Sequence, residues 1–268
     1  MAERLDQALV RRGLIDSRER AQALIMEGRV YIFENKALKP SQKVEDSDEV
    51  TIRGELNPFV SRGGHKLAKA MDVFAINAQD VAAVDIGAST GGFTDVLLRA
   101  GAKKVYAIDV GYGQLAYKLR ADERVVVMER TNARYIEPGM FDEIPTLGVT
   151  DVSFISLKLI LPPALAIVKE RFVALIKPQF EAGRDRVGKK GVVRDAQVHL
   201  DVVKEILQFI DADMGWTAQN LSFSPIKGPE GNIEFLVHIL PKCRATHCVT
   251  EQEAAEVVRQ AHESLGNA

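Results

Sequence analysis

VAAVDIGASTGGFTDVL, residues 81–97, is the stretch on which the fold turns. An apolar, β-branched run from Val81 to Ile86 breaks into Gly87, Ala88, Ser89, Thr90, Gly91 and Gly92, and an amphipathic segment follows from Phe93. The pattern predicts a strand, a tight glycine turn and a helix. Glycine is needed where the turn visits positive φ and a ligand approaches bare backbone. A dinucleotide fingerprint would read G-x-G-x-x-G. Here the glycines stand at 87, 91 and 92, with Asp85 just before the turn, and the spacing fits that fingerprint poorly. An acidic strand end beside a glycine turn suits a ligand with a cationic amino acid and a nucleoside but no phosphates, and S-adenosylmethionine is such a ligand. The alternative on this stretch alone is a plain βα turn in some other α/β enzyme.

Downstream the same alternation continues. Strands are predicted at Ala82 to Ile86, Val105 to Ile108, Val125 to Met128, Leu147 to Val152, Val173 to Ile176, Ala218 to Phe223 and Phe235 to Leu240. Between them fall helices at Phe93 to Ala100, Leu115 to Arg120, Leu157 to Lys169 and Asp195 to Ile210, and a last one spans Glu251 to Leu265. This rhythm means a mostly parallel sheet with helices on both faces and a ligand at the carboxyl ends of the strands. The final strand follows SPIKGPEG without a helix, so it is expected antiparallel, reversed at the sheet edge.

Asp109 ends the second strand, 22 residues after Gly87, where a carboxylate pairs with ribose hydroxyls in nucleoside-binding α/β folds. Thr131 and Asn132, after the third strand, are placed to flank an adenine. Asp151 ends the fourth strand, Lys177 the fifth, Glu234 opens the last, and Lys66 precedes the first. Spacing alone leaves open whether these four share one cleft or merely decorate strand ends.

Upstream, residues 1–54 form a separate module, joined by a linker, 55–61, to the α/β domain of 62–268. Leu5, Ala8 and Leu9 make one apolar helical face ended by Gly13; Ser17 caps a second helix carrying Ala21, Leu24 and Ile25 and stopped by Gly28. Two short strands, Val30 to Phe33 and Glu49 to Ile52, flank a polar segment. Arg4, Arg11, Arg12, Arg18, Arg20 and Arg29 are all arginine, which forks onto phosphate and stacks on bases. Interleaved acids make a solvated face equally compatible with the charge pattern.

The chain has 268 residues, 46% of them hydrophobic and 27% charged, within the globular range. The stretch MAERLDQALVRRG has no apolar core of the kind a signal peptide needs, and Pro162 and Pro163 interrupt the longest apolar run, Leu159 to Val168. No stretch reaches the roughly 18 apolar residues of a membrane helix, so a cytoplasmic protein is expected. Cys243, His247 and Cys248 form a weak zinc signal, and no metal is expected. A net charge of −2 argues against nucleic-acid binding over the whole surface and leaves room for local basic patches.

The N-terminal pattern LDQALVRRGL followed by SRERAQALIMEGRVYI closely resembles the S4-type RNA-binding domain, a small α+β fold. The resemblance implies that Arg11, Arg12, Arg18, Arg20 and Arg29 form a basic edge docking on structured RNA. Lys66, Asp151, Lys177 and Glu234 resemble, in order and strand placement, the Lys-Asp-Lys-Glu tetrad of FtsJ-like ribose 2′-O-methyltransferases. With DIGASTGGFTD, DVGYGQL, ERTNAR, DVSFISL, IKPQFE and GNIEF, nearly the whole chain is similar to the TlyA family, an S4-type domain fused to an FtsJ-like methyltransferase, whose members were historically labelled haemolysins. The family implies a class I, Rossmann-like fold with a seven-stranded sheet and S-adenosylmethionine as cofactor. It also implies 2′-O-methylation of a cytidine in ribosomal RNA, the large subunit being the commoner target and the small subunit a second one in some members.

The resemblance sets roles that chemistry can check. Methyl transfer to a ribose hydroxyl is an in-line displacement in which positioning contributes roughly 7 to 11 kcal/mol and a base a further factor of about 10² to 10⁴. Lys177 is expected to accept the proton or stabilise the alkoxide, Asp151 to orient it, and Lys66 and Glu234 to position the ribose. Asp85, Gly87, Ser89, Thr90, Gly91, Gly92, Asp109, Thr131 and Asn132 are expected around the cofactor. After Lys177, the glycine-rich segment with Arg184, Arg186, Lys189 and Lys190 is expected to clamp the RNA backbone, and Arg62, on the basic segment that opens the α/β domain, is expected among the RNA-binding residues. A membrane-lytic protein and a non-catalytic RNA-binding assembly factor are the rival functions. The first lacks an amphipathic or spanning segment suited to lipid, since the C-terminal helix carries Glu251, Glu253, Glu256 and Glu263.

Overall fold

Both faces of the run Ala82–Ile86 are buried, as the centre of a parallel sheet demands. The computed structural model describes residues 2–15, 17–54 and 57–266, without the side chains of Lys189 and Asp213. Part of the expected linker, residues 55 and 56, lies outside them. The chain divides between Asn57 and Pro58 into two units.

In the first unit the order is β1 (Glu3–Arg4), α1 (Leu5–Arg11), α2 (Arg18–Met26), β2 (Val30–Ile32), β3 (Asn35–Lys36), β4 (Lys43–Val44) and β5 (Val50–Ile52). Ser17 Oγ accepts from Arg20 N to cap α2, and Gly13 and Gly28 turn the chain at φ of 70°. β2 pairs antiparallel with both β3 and β5, while β1 pairs with β4. Leu5, Ala8, Leu9, Leu24, Ile25 and Val30 form the centre of its apolar core.

The second unit runs α3 (Gly64–Val73), β6 (Ala82–Ile86), α4 (Gly92–Arg99), β7 (Lys104–Ile108), α5 (Tyr117–Arg120), β8 (Val125–Met128), β9 (Leu147–Thr150), α6 (Leu157–Ile167), β10 (Arg171–Ile176), α7 (Pro178–Glu181), α8 (Ala196–Asp213), β11 (Trp216–Phe223), β12 (Phe235–Pro241) and α9 (Glu251–Leu265). The sheet order is β11-β12-β10-β9-β6-β7-β8. Val84 and Ile86 face a core shared with α6, α8 and α9; Ala83 faces one shared with α3 and α4. From β6 the chain steps outward through β7 and β8, then returns to β9 on the other side. The switch point therefore opens between the carboxyl ends of β6 and β9, where ligands bind in such sheets.

One expectation needs correcting. The reversed strand is not at the edge: β12 pairs antiparallel with β10 on one side and β11 on the other, and β11 is the edge. Burial explains the choice. Phe235 to Ile239 is buried throughout, so this segment needs neighbours on both sides, whereas β11 is only half-buried over its last five residues. The reversal matters for chemistry, because residues just before β12 lie at the same end of the sheet as residues just after β6, β9 and β10.

Candidate active site

Asp151 follows β9, Lys177 follows β10, Glu234 precedes β12, and Lys66 lies in the first turn of α3. The structure brings all four together. Lys66 Nζ lies 2.6 Å from Glu234 Oε2 and 3.3 Å from Asp151 Oδ2, and Lys177 Nζ lies 2.6 Å from Asp151 Oδ1. Lys177 also donates to Ser153 Oγ at 2.8 Å. Lys66, Lys177 and Glu234 are buried. Burial alone would push the Lys66 ammonium down, but Asp151 and Glu234 together outweigh it and raise its pKa above the ordinary lysine value. Lys66 is thus a fixed cation held between two carboxylates, while Lys177 has one carboxylate and a hydroxyl. A cavity of about 300 Å³ opens on this group, lined among others by Arg62, Lys66, Thr90, Gly92, Asp151 and Lys177.

A second cavity, of about 500 Å³, adjoins it across Gly87, Ser89, Asp151 and Ser153. Gly87, Ser89, Asp109, Thr131 and Asn132 line it. Asp109 is fixed by two backbone donors, Ser89 N to Oδ2 and Gly111 N to Oδ1, each at 2.7 Å. Its remaining lone pairs are available to hydroxyls. Ser89 and Phe154, both on the wall, hold φ of 49° and 63°. Such left-handed backbone in non-glycine residues gathers at ligand sites.

The expected cofactor residues therefore separate by role. Thr90 and Gly92 face the tetrad cavity. Gly91 caps α4 at φ of 95°, where a Cβ would stand 2.2 Å from Leu119 Cδ1. Asp85 is fully buried beneath the turn: Thr94 Oγ1 donates to its Oδ2 at 2.7 Å, and Oδ1 has no hydrogen-bond partner. Burial pushes its carboxyl up to about 7. A nucleoside-sized cavity, a positioned carboxylate for hydroxyls and an unsatisfied buried acid under the glycine turn fit a cationic, nucleoside-bearing methyl donor. Sequence reasoning missed Ser153, Gln114 and Phe154; a serine two residues beyond a strand-end aspartate carries no signal of its own.

The basic residues are more varied than their spacing implied. Arg4 and Arg18 each bond the buried Asp6 at 2.9 Å, and Gln22 adds a third donor at 2.8 Å. Led by the Arg4 hydrogen bond, these contacts hold the Asp6 carboxyl well below the usual range. Arg11 bridges Glu3 and Asp46. Arg12 donates to the carbonyls of Asp48 and Glu45, Arg20 to that of Asn57 and Arg29 to that of Arg53. In the other unit Arg62 lines the tetrad cavity. Arg184 and Lys190 are exposed, while Arg186 donates to the Ala182 carbonyl at 2.8 Å. The Lys189 side chain is outside the described residues. Among the described residues no group of three or more side chains could hold a metal ion, and no helix is long and apolar enough to cross a membrane.

Comparison with known proteins agrees with this geometry. A model of the FtsJ-like methyltransferases matches residues 59–239, and one of the S4 domain matches residues 3–50. A Bacillus subtilis protein provisionally named the rRNA methyltransferase YqxC is 51% identical over 98% of this chain and 95% of its own length. The 16S/23S rRNA (cytidine-2′-O)-methyltransferase TlyA of Mycobacterium tuberculosis is 45% identical over 87% of this chain and 88% of its own. A solved structure of a Streptococcus thermophilus protein provisionally named a hemolysin is 44% identical, with a TM-score of 0.78 over 99% of this chain and 98% of that one.

Proposed function

This chain belongs to the TlyA family of FtsJ-like methyltransferases with an S4 domain, and from that premise we propose that it methylates the ribose 2′-hydroxyl of a cytidine in ribosomal RNA. The large subunit is the first substrate to test and the small subunit the second. The protein is a methyltransferase, and S-adenosylmethionine is its methyl donor.

The observation that carries the mechanism is the unequal pairing of the two lysines. Lys66, clamped by Asp151 and Glu234, holds its proton and serves as a fixed positive wall. Lys177, oriented by Asp151 Oδ1 and Ser153 Oγ, directs its amine toward the cavity. Gly87, Ser89, Asp109, Thr131 and Asn132 would hold the nucleoside part of the cofactor, with Asp85 beneath the turn. When bound, the cofactor supplies a methyl group activated by the neighbouring sulphonium charge. As the free amine, Lys177 Nζ would take the proton given up by the 2′-hydroxyl, while the donor's carbon–sulphur bond would break and leave a neutral thioether. Lys66 and Glu234 fix the ribose, and orientation is the larger part of the barrier reduction. Positively charged side chains, Arg62, Arg184, Arg186 and Lys190 among them, meet the RNA backbone.

The experiment is single-turnover methyl transfer to purified ribosomal subunits, followed by mapping of the modified ribose. Lys177→Ala is expected to slow transfer by about 10² or more while cofactor affinity by calorimetry stays near wild type. Retention of most of the wild-type rate by Lys177→Ala would overturn the assignment.

A further inference from the structure

The segment GNIEF places Glu234 in the tetrad and, two residues earlier, an asparagine that the methyl-transfer reading leaves unused. Asn232 is 2% exposed, and its side-chain amide is committed to a single stretch of backbone. Oδ1 accepts from Val193 N at 3.0 Å, and Nδ2 donates to the Gly191 carbonyl at 2.9 Å. A carboxamide carries one acceptor oxygen and one donor nitrogen, so it answers a C=O and an N–H two residues apart much as a neighbouring strand would. The main chain around Asn232 is equally settled. Its carbonyl accepts from Gly228 N, and Gly231 N donates to the Gly228 carbonyl, both at 2.9 Å. Ser224 N donates to the Glu234 carbonyl at 2.8 Å, and a Cβ on Gly228 would stand 2.7 Å from Glu234 Oε1. The loop that carries Asn232 therefore packs directly on the carboxylate that holds Lys66.

The stretch held by Asn232 is the end of the basic segment. Gly191 N donates to the Gly188 carbonyl and Gly188 N to the Val192 carbonyl, both at 3.1 Å, which closes a tight turn. Lys190 is exposed on that turn at φ of 68°, followed by Gly191 at 72°. Left-handed backbone in a non-glycine residue costs strain and persists where the surroundings over-determine it. Here the bonds to Asn232 fall on the first and third residues after Lys190, and Val192 and Val193 are buried. At its other end the segment leaves α7, where Phe180 N donates to the Lys177 carbonyl at 2.9 Å. The basic segment is thus tied to Lys177 at its start and to the loop packed on Glu234 at its end. A phosphate met by Lys190 would stand at a set place relative to the tetrad, and the Asn232 amide is the brace that sets it.

We propose that Asn232 is a positioning residue for the acceptor RNA: its amide mounts the turn of residues 188–193 beside Glu234, so that Lys190 meets a backbone phosphate in register with the tetrad. The proposal rests on the reading above that this segment contacts RNA. The test measures binding of purified ribosomal subunits over a range of salt, with wild type, Lys190→Gln, Asn232→Ala and the double variant. Lys190→Gln is expected to make the log–log slope shallower by about 0.7 to 0.9, and Asn232→Ala, which removes no charge, to make it shallower by at least as much. The double variant should match Asn232→Ala rather than sum the two losses. A residue that served stability alone would leave the slope where it is. Calorimetry with S-adenosylmethionine reports whether each variant is folded. Should Asn232→Ala fail to bind the cofactor, the neutral Asn232→Ser, whose short hydroxyl cannot span both Gly191 and Val193, takes its place in the same comparison. A shallower slope in Lys190→Gln with an unchanged slope in the Asn232 variant overturns the proposal alone, as do losses that simply add. An unchanged slope in Lys190→Gln overturns the RNA contact and the proposal together.

Discussion

Removing Glu234 alone is expected to cost more stability than removing Glu234 and Lys66 together. Their charged atoms lie 2.6 Å apart, with side-chain exposures of 1% and 8%. At an effective dielectric constant of about 20 the gross attraction is roughly 6 kcal/mol, but withdrawing each ion from water costs several kcal/mol in return. The net worth of the pair is therefore small, while the penalty for an orphaned member is large. Glu234→Leu leaves the Lys66 ammonium with Asp151 at 3.3 Å, and Asp151 is already engaged by Lys177. A loss of about 3–5 kcal/mol is expected. The double variant Lys66→Met/Glu234→Leu should recover most of it, giving a coupling energy of about 3 kcal/mol in a double-mutant cycle. Urea unfolding followed by the fluorescence of Trp216, the single tryptophan, measures this next to the strand concerned. Because the Lys66 pKa is raised in the folded state, its contribution is complete below the ordinary lysine range and disappears as pH rises through the folded value. The gap between wild type and Glu234→Leu should accordingly close under alkaline conditions. A loss below about 1 kcal/mol in Glu234→Leu, or single-variant losses that simply add, would refute the reasoning.

Other outcomes follow from the same physics. Burial raises the Asp85 carboxyl to about 7, so the native state keeps a proton that the unfolded chain loses near pH 4, and stability should fall as pH rises through that window. Asp85→Asn lacks this slope and should be more stable than wild type by a few kcal/mol at pH 8 (on the order of 4 at most) and nearly equal to it at pH 4, as read from unfolding midpoints. Gly91→Ala strains a backbone at φ of 95° and drives a Cβ to 2.2 Å from Leu119 Cδ1, so at a strain of about 1–3 kcal/mol cofactor affinity should weaken by a factor of roughly 5 to 150. Gly113→Ala, at φ of 70° with open space around it, carries the backbone strain without the clash and is the control for the packing part of the effect. Lys190→Gln should make the salt dependence of RNA binding shallower by about 0.7 to 0.9 in log–log slope, and an identical slope would exclude it from phosphate contact.

Most of the sheet could be read from the sequence because β6 to β10 are largely apolar runs, each followed by glycine or a charged residue, a local signal. Its order was less accessible. That Phe235–Pro241 enters between β10 and β11 depends on pairing across some sixty residues of chain, which periodicity does not encode. Two-residue strands such as Asn35–Lys36 and Lys43–Val44 are too short to produce a pattern at all. At the site, ionisable residues at strand ends gave Lys66, Asp151, Lys177 and Glu234 as candidates, but their shared cleft came from the family pattern rather than from spacing. Ser153 was unreadable, because its importance lies in a hydrogen bond to one lysine. The arginines of the first module show the converse. Their clustering was plain, yet it does not say that Arg4 and Arg18 converge on Asp6 or that Arg11 bridges Glu3 and Asp46.

The reversed strand also fixes the order in which the molecule can be finished during synthesis. By residue 132 a growing chain already contains β6, β7 and β8 and every side chain proposed around the nucleoside. Lys66 by then exists without either of its carboxylates, and Glu234 arrives only with the last strand. That strand does not extend the sheet outward but fills a place between two strands made before it. Its distant pairings are the slow kind to form. A chain halted before residue 234 thus has the donor pocket's residues and an incomplete acceptor site, and the last strand added is the one that closes the circuit of charges.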